Sequence, residues 1–236
     1  MNARDTLIVI PTYDERENLR ELLEGIREHA PGASVLFVDD GSPDGTLEEA
    51  EALGRDFGDV EVLERGQRLG IGSAYREGFA RGLAAGYQRL ISMDADLSHQ
   101  PRYVPDLLAA GQHADLVVGS RYVQGVSVVN WSLKRLMLSV TANGYARAIT
   151  GLPVRDCTSG FQCFRREVLE AIDVARLRLD GYAFLVEIKY KAHRLGFRLS
   201  EIPIVFVDRR VGSSKLGLSN IVQSSWAVWA LRLGLV

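Results

Sequence analysis

Short apolar runs alternate with amphipathic segments along the first half of the chain. Residues 7–10, 35–38, 60–63, 90–93 and 116–118 are almost wholly apolar and have the length of buried strands. Between these runs, leucine and isoleucine recur at helical spacing, as they do over residues 19–26. Apolar strands separated by helices predict an α/β fold with a doubly wound, mostly parallel sheet that is flanked by helices.

Polar residues and glycines between these segments indicate where the helices begin. Asp14, with Glu17 three residues later, predicts an N-cap and a capping box for the first helix. Gly70 and Gly72 are interpreted as the start of a helix near residues 73–85. In the second half, the pattern predicts helices near residues 131–150 and 182–195 and a strand near residues 198–206.

The composition narrows the class of protein. The 236 residues are 47% hydrophobic and 25% charged, as expected for one large globular domain or one domain with an appendage. A net charge of -2 argues against a general nucleic-acid-binding protein. The two cysteines, Cys157 and Cys163, are expected to be buried thiols of a cytoplasmic protein. The N-terminus lacks the pattern of a signal peptide, and no apolar run has the length of a membrane span.

Three common α/β enzyme classes lack their signatures here. The turn after the first predicted strand, residues 11–15, contains no glycine, whereas a dinucleotide-binding fold needs a glycine-rich turn at that point. No Walker A motif is present, which disfavours a P-loop kinase. A Gly-x-Ser-x-Gly nucleophile elbow is also missing. Dehydrogenases, P-loop kinases and serine hydrolases are therefore disfavoured.

Two carboxylates, Asp94 and Asp96, follow directly after the apolar run 90–93. Open α/β sheets bind ligands at the carboxyl ends of their strands. Paired carboxylates at such an edge suit Mg²⁺ or Mn²⁺, which in turn bind phosphate oxygens. The pair therefore predicts a metal-held nucleoside diphosphate, with a solvated turn as the alternative. Polar residues also follow the other predicted strands: Asp14, Glu15, Asp39, Asp40, Ser120 and Arg121.

Six ordered motifs carry a resemblance to a known family. They read IPTYDERENL at residues 10–19, VDDGSPDGT at 38–46, MDADLSH at 93–99, GSRY at 119–122, DCTSGF at 156–161, and FVDR with SKLG at 206–209 and 214–217. Together they resemble the polyprenyl-phosphate (dolichyl-phosphate) mannosyltransferases, which belong to glycosyltransferase family 2 and have the GT-A fold. The resemblance covers nearly the whole chain, in the same order.

The resemblance implies a nucleoside pocket and a metal site. The residues that would line the pocket are Pro11, Tyr13, Glu15, Val38 and Asp40. A carboxylate can accept hydrogen bonds from the N–H groups of guanine or uracil, and an aromatic ring can stack on a base. Glu15 and Asp40 as plain helix-terminus acids are the alternative. Asp94, Ala95 and Asp96 would contact the donor and the metal, with Asp96 as the main ligand.

The resemblance also implies a set of cations that act on anions. Arg121, Arg209 and Lys215 would contact the donor and assist catalysis, because lipid-phosphate transfer places anions on both sides of the sugar. Lys134 and Arg135, on a predicted helix, are weaker candidates that could simply face solvent or lipid headgroups.

The implied reaction is inverting transfer of mannose from GDP-mannose to a polyprenyl (dolichyl) phosphate, giving polyprenyl-phosphate mannose and GDP. A phosphate acceptor is already ionised near pH 7, so no general base is expected. The alternatives are transfer of glucose or another sugar from a UDP-sugar, and a family 2 enzyme with a hydroxyl acceptor. A hydroxyl acceptor would need a base, for which Asp156 is the obvious candidate and Glu187 a poor one. A non-catalytic sugar-nucleotide-binding subunit is the third class.

The C-terminal residues favour contact with a membrane. Residues 1–217 are predicted to form the catalytic domain and residues 218–236 an amphipathic helix. Apolar residues recur there at helical spacing: Val222, Trp226, Trp229, Leu233 and Val236. A membrane-interfacial helix is the preferred interpretation, and a helix packed on the core is the alternative. We therefore expect peripheral association with the cytoplasmic face of a membrane, through the surface itself or a partner subunit.

Overall fold

The computed structural model describes residues 3–208 and 218–235. Its strands are β1 (Thr6–Thr12), β2 (Ser34–Asp39), β3 (Val60–Glu64), β4 (Arg89–Ser92), β5 (Leu116–Ser120), β6 (Val128–Val129), β7 (Gln162–Arg165), β8 (Leu199–Pro203) and β9 (Phe206–Val207). Its α-helices are α1 (Arg16–His29), α2 (Thr46–Phe57), α3 (Ile71–Ala84), α4 (Val104–Ala110), α5 (Leu133–Thr150), α6 (Arg166–Ala171), α7 (Gly181–Arg194) and α8 (Leu218–Leu233). The predicted α/β alternation of the first half is confirmed.

Seven strands form one sheet in the order β3-β2-β1-β4-β7-β5-β8. All neighbouring pairs are parallel except those of β7, which runs antiparallel to β4 and β5. The predicted mostly parallel sheet is therefore confirmed. Because β1, β2, β4 and β5 run in the same direction, their carboxyl ends meet at one edge. A separate pair, β6 and β9, is parallel.

Strand β7 was not predicted from the sequence. It lies between β4 and β5, where Gln162 is opposite both Ser92 and Val118. Since β7 is antiparallel, it begins at the edge where the parallel strands end. The preceding segment, residues 156–161, therefore lies at the same edge as the Asp-x-Asp motif.

The core has two layers, one on each face of the sheet. Along β1, Ile8 and Ile10 point to the layer that contains Leu19 and Leu22 of α1. Leu7 and Val9 point to the opposite layer, which contains residues of α3, α6 and α7. This alternation follows from the two-residue period of a strand and produces the doubly wound arrangement. Both cysteines are buried free thiols, as predicted.

The two predictions about helix starts had different outcomes. The predicted N-cap at Asp14 is wrong, because α1 begins at Arg16 and is preceded by Glu15 without a side-chain cap. Asp14 instead has a φ of 58°, and its N–H donates to Ser42 Oγ of the next strand-end loop. The helix start at Gly70 is confirmed: this residue precedes α3 with a φ of 93°, a conformation that glycine adopts without strain.

Helix α8 packs against α5 and α7. Val228 and Leu231 of α8 are buried in the core, whereas Trp226 and Trp229 are exposed. The core-packed alternative therefore holds for one face of the helix, and the membrane-interfacial interpretation of the open face stays a prediction. Among residues 3–208 and 218–235, no helix is long and apolar enough to cross a bilayer.

Candidate active site

The strand-end edge brings together the predicted donor residues of three neighbouring strands. Tyr13 follows β1, Asp40 follows β2 and Asp94 follows β4. Arg121 follows β5 on the far side of β7. The predicted metal-binding carboxylates and the predicted cation Arg121 therefore lie along one edge, as the parallel topology requires.

Asp94 is held by two neighbours. The Tyr75 hydroxyl donates to Asp94 Oδ1 at 3.1 Å, and the Asp94 backbone N–H donates to His99 Nδ1 at 3.0 Å. Burial raises the pKa of Tyr75 well above its ordinary value, and the nearby charges of Asp94 and Asp96 raise it further. Tyr75 is therefore a permanent donor that fixes the Asp94 carboxylate. As a buried aromatic on α3, it gave no sequence signal beyond that of a core residue.

Asp96 is held by the turn in which it lies. Its Oδ1 accepts hydrogen bonds from the Ser98 hydroxyl at 2.5 Å and from the Ser98 N–H at 3.1 Å. Leu97, between them, has a φ of 62°, which is uncommon for a residue with a side chain. The turn thus orients the Asp96 carboxylate through Ser98. Ser98 is buried and acts here on Asp96.

The carboxylates fit a divalent ion that is shared with phosphates. No cluster of three or more histidine, cysteine, aspartate or glutamate side chains with metal-binding geometry occurs in the described part of the chain. Asp94 and Asp96 are both partly exposed oxygen donors. Mg²⁺ is commonly bound by one or two carboxylates, with substrate phosphates and waters completing the shell. Two carboxylates at an open edge match that pattern better than a closed protein site.

His99 connects Asp94 to Phe161 and Phe206. Because Nδ1 accepts the Asp94 N–H, the ring proton is placed on Nε2. The ring stacks on Phe161 at 5.0 Å and meets the edge of Phe206 at 5.7 Å, both measured between centroids. A Cβ on Gly160 would lie 3.5 Å from the His99 ring and 3.6 Å from Asp94 Oδ1. The Asp-x-Asp turn and the segment before β7 are therefore in packed contact.

The predicted nucleoside residues lie at the ends of β1 and β2. Pro11 and Val38 are paired in the β1–β2 register, and Val38 is fully buried. The Tyr13 ring has the Arg68 guanidinium 4.2 Å from its centroid. Glu15 accepts a hydrogen bond from the Asn18 side chain at 2.7 Å. Ala95, which lies between Asp94 and Asp96 in the sequence, is buried.

Asp40 is buried and already has protein partners. It forms an ion pair with Arg65 at 2.9 Å and accepts hydrogen bonds from the N–H groups of Leu69 and Gly70. Burial raises the pKa of Asp40, although the charge of Arg65 opposes the rise. Asp40 therefore supports the loop before α3, in keeping with the structural alternative for this acid. Its role towards a nucleoside stays a prediction.

Arg121 is buried in an ion pair with Asp156. Its Nε and Nη2 donate to the two Asp156 carboxylate oxygens, each at 2.7 Å, and Nη2 also donates to Thr158 Oγ1 at 2.8 Å. Burial alone would raise the pKa of Asp156, but the charge of Arg121 and its hydrogen bonds outweigh burial and hold the pKa below its ordinary value. Asp156 is thus a counterion for Arg121 and is poorly placed to act as a base.

Glu187, the other candidate base, is also fully buried and engaged. It pairs with Lys191 at 2.8 Å and accepts the Leu179 N–H at 3.0 Å. Neither candidate base is therefore poised to accept a proton from a hydroxyl substrate.

Arg135, one of the weaker candidate cations in the sequence, lies beside Arg121 at the same aromatic ring. Both guanidinium carbons lie over the Trp131 ring, at 4.2 Å for Arg135 and 5.5 Å for Arg121. Arg135 pairs with Asp208 at 2.5 Å, just after β9. The Phe206 ring completes this group, 5.5 Å from both the Trp131 ring and the Arg121 guanidinium carbon. Arg121, Arg135, Trp131 and Phe206 form what we call the cationic cluster.

The remaining predicted cations have different positions. Lys134 is exposed on α5. Arg209 and Lys215 lie outside the described residues.

Comparisons with known proteins agree with this architecture. The sequence model of glycosyl transferase family 2 matches residues 7–173. The chain is 44% identical over 231 residues to the polyprenol monophosphomannose synthase of Mycolicibacterium smegmatis, covering 96% of this chain and 87% of that protein. It is also 44% identical over 210 residues to the undecaprenyl-phosphate mannosyltransferase of Micrococcus luteus, covering 89% and 86% of the two chains.

Solved structures share the fold at lower identity. Glucosyl-3-phosphoglycerate synthase from Mycobacterium tuberculosis, in complex with Mn²⁺, UDP and glucosyl-3-phosphoglycerate, aligns with a TM-score of 0.68 and 21% identity. The alignment covers 99% of this chain and 81% of that one. The same enzyme with Mg²⁺ and UDP aligns with a TM-score of 0.67 over the same shares of the two chains. From the family match and the curated relatives, the chain belongs to glycosyltransferase family 2 and is a glycosyltransferase.

Proposed function

We propose that this glycosyltransferase transfers mannose from GDP-mannose to a polyprenyl phosphate, with inversion at the anomeric carbon. Both curated relatives carry names that specify mannosyl transfer to such lipids. The single observation that carries the proposal is the cationic cluster, which offers positive charge while both candidate bases, Asp156 and Glu187, are already engaged by other groups. Residues 1–217 would form the catalytic domain and 218–236 the membrane-facing helix.

The donor side supports binding of a nucleoside diphosphate. Asp94 and Asp96 would hold Mg²⁺ or Mn²⁺, and the ion when bound would neutralise the departing diphosphate. Tyr75 and Ser98 orient the two carboxylates, so the protein supplies a preformed pair of ligands. Tyr13, with Pro11 and Glu15, would contact the nucleoside. Arg209 and Lys215 would assist with the leaving group.

The acceptor side supports a phosphate rather than a hydroxyl acceptor. In the described part of the chain, the buried donors Trp131 Nε1 and Arg135 Nε have no hydrogen-bond acceptor. Buried donors without acceptors are costly, and phosphate oxygens would satisfy them. Asp156 and Asp208 serve as counterions of Arg121 and Arg135. A phosphate oxygen would attack the anomeric carbon directly, since it carries no proton that must be removed.

The exposed apolar residues of α5 and α8 support contact with a membrane surface. On α5, Leu133 and Met137 are 71% and 61% exposed, and on α8 Trp226 and Trp229 are 67% and 45% exposed. Helices with open apolar faces and tryptophan side chains bind at the bilayer interface. The same two helices pack against each other, and α5 carries Arg135. A lipid phosphate would thus reach the cationic cluster from the bilayer.

The test is formation of a lipid product. The enzyme is incubated with Mn²⁺, a short polyprenyl phosphate and either labelled GDP-mannose or labelled UDP-glucose. Asp96→Ala is the inactive variant, and Asp106→Ala, an exposed carboxylate on α4, is the matched control. Mannosyl lipid from GDP-mannose alone, abolished only by Asp96→Ala, would support the proposal.

Other products would point to other functions. Formation of glucosyl lipid would mean that the mechanism is as proposed but that the donor is UDP-glucose. No lipid product from either donor, in detergent or in vesicles, would favour a hydroxyl acceptor. Sedimentation with anionic vesicles tests the membrane surface separately. Trp226→Ser with Trp229→Ser should weaken sedimentation, whereas Leu195→Ser, an exposed leucine at the end of α7, should not.

A further inference from the structure

Lys189 is a charged residue inside the protein. It lies in α7, and its side chain is fully buried. Lysine is almost never buried without a partner, because an ammonium loses its hydration there. No ion pair to Lys189 forms within the residues that the structure describes. Its burial therefore needs another explanation.

Three backbone carbonyls solvate the ammonium. Nζ donates to the carbonyl oxygens of Cys157 at 3.0 Å, Ser159 at 2.9 Å and Leu185 at 3.0 Å. Because an ammonium has three N–H donors, this set uses all of them. Two of the acceptors belong to the segment 157–159 and the third to α7 itself. Lys189 thus fastens this segment to α7.

The fastened segment, residues 156–160, contacts both halves of the site. On the acceptor side, Asp156 and Thr158 both accept hydrogen bonds from Arg121. On the donor side, the Gly160 carbonyl accepts the Ser92 hydroxyl at 2.6 Å, at the end of the strand that leads to Asp94. A shift of this segment would therefore move the Arg121 guanidinium relative to the Asp-x-Asp turn.

We propose that Lys189 is a positioning residue for the acceptor site, holding residues 156–160 so that Arg121 faces the lipid phosphate. The inference rests on the proposed function for the identity of the acceptor. Lys189 would thus affect acceptor binding from inside the protein, through the segment that its ammonium holds. The donor carboxylates Asp94 and Asp96 have their own supports in Tyr75 and Ser98, so donor binding should not depend on Lys189.

The charge of the Lys189 ammonium should change with pH within the range of an activity assay. Burial, together with the positive charge of Arg121, lowers the pKa of Lys189 to about 8. Cys157, Asp156 and, more weakly, Glu201 act in the opposite direction and raise this pKa. A neutral amine has two N–H donors for three carbonyls, so one carbonyl loses its partner above that pH. Cys157 stays protonated there, because burial raises its pKa to about 12. Asp156 stays ionised, since its pKa is lowered.

The experiment compares Lys189→Met with the wild type. Initial rates are measured with varied polyprenyl phosphate and varied GDP-mannose, well below the Tm of the variant. We expect the KM for the lipid phosphate to rise about tenfold or more, because the loss of one charged hydrogen bond has an effect of that size. The KM for GDP-mannose should be unchanged. Ile26→Ala, a core substitution in α1, is the control for lower stability alone.

A measurement on the wild type covers the case in which Lys189→Met does not fold. Its KM for the lipid phosphate should rise between pH 7 and pH 9, while its KM for GDP-mannose stays flat. Folded Lys189→Met should show the high lipid KM at every pH. If lipid product forms but both KM values are unchanged in Lys189→Met, or if the wild-type lipid KM is flat with pH, the role of Lys189 is overturned. If the wild type forms no lipid product, the proposed function fails instead, and with it this acceptor role.

Discussion

Replacing Asp156 by asparagine should destabilise the protein strongly, because it leaves Arg121 buried without its counterion. Asp156 is fully buried and the Arg121 side chain is 8% exposed. Removing one partner of a buried ion pair costs about 3–5 kcal/mol, since the remaining charge is desolvated and unpaired. That is a large part of the free energy of unfolding of a typical domain, which is ~5–15 kcal/mol. We therefore expect a lower urea midpoint at pH 7 with an unchanged slope.

An exposed ion pair provides the control. Asp173 pairs with Arg176 at 2.9 Å, with side chains 53% and 87% exposed. Solvent screens such a pair, so Asp173→Asn should cost less than about 1 kcal/mol. If Asp156→Asn also costs less than that, the reasoning about the buried pair is refuted.

The difference between wild type and Asp156→Asn should also depend on pH. Because the folded pKa of Asp156 lies below its ordinary value of 3.8, its contribution is fully present above that value. It is lost as the pH falls through the lower, folded pKa. The two stability curves should therefore converge in strong acid. Parallel curves down to pH 2 would contradict the ion-pair assignment.

A double variant separates stability from activity. Replacing both members of a buried ion pair by apolar residues is often neutral or stabilising. Arg121→Met with Asp156→Leu should therefore recover most of the lost stability, as measured by urea denaturation. It should nevertheless form no lipid product, because the cation that we propose for the acceptor phosphate is gone. Retention of activity in this folded variant would show that Arg121 does not bind the acceptor.

Three further outcomes follow, two from contacts at the strand-end edge and one from packing in the core. Tyr75→Phe removes the hydroxyl that donates a hydrogen bond to Asp94. When the rate is measured against Mn²⁺ concentration, the concentration for half-maximal activity should rise about tenfold or more. Asp40→Asn should cost ~3 kcal/mol in urea denaturation, because it takes from the buried Arg65 side chain the carboxylate that pairs with it at 2.9 Å. Gly78→Ala should cost ~1–3 kcal/mol in urea denaturation, because the added Cβ would overlap Val9.

The placement of Asp94 and Asp96 at the strand-end edge could be predicted because its signals are local. The apolar runs that form β1, β2 and β4 end directly in polar residues, and parallel topology brings those ends together. The position of Asp94 and Asp96 follows from that rule alone. Their supports do not: Tyr75 reads as a core aromatic of a helix.

The cationic cluster and its supports depend on contacts between distant residues. Arg135 pairs with Asp208, 73 positions away, and the spacing of cations along a helix does not reveal such a partner. Lys189 lies on an amphipathic segment where a lysine normally faces solvent. Strand β7 was missed because Gln162–Arg165 is short and polar at both ends, and its burial comes from insertion between two other strands.

The central position of β7 has a consequence for how the protein folds during synthesis. Strands β1 to β4 can pair as soon as they leave the ribosome, since each finds its neighbour within the first 92 residues. The other edge of β4 has no strand until Gln162 to Arg165 emerges. Such an open edge invites pairing with other chains, and contacts between distant segments form slowly. The joining of β5 to the first four strands thus waits for β7, whose preceding segment also brings Asp156 to Arg121, so the proposed acceptor site would form late.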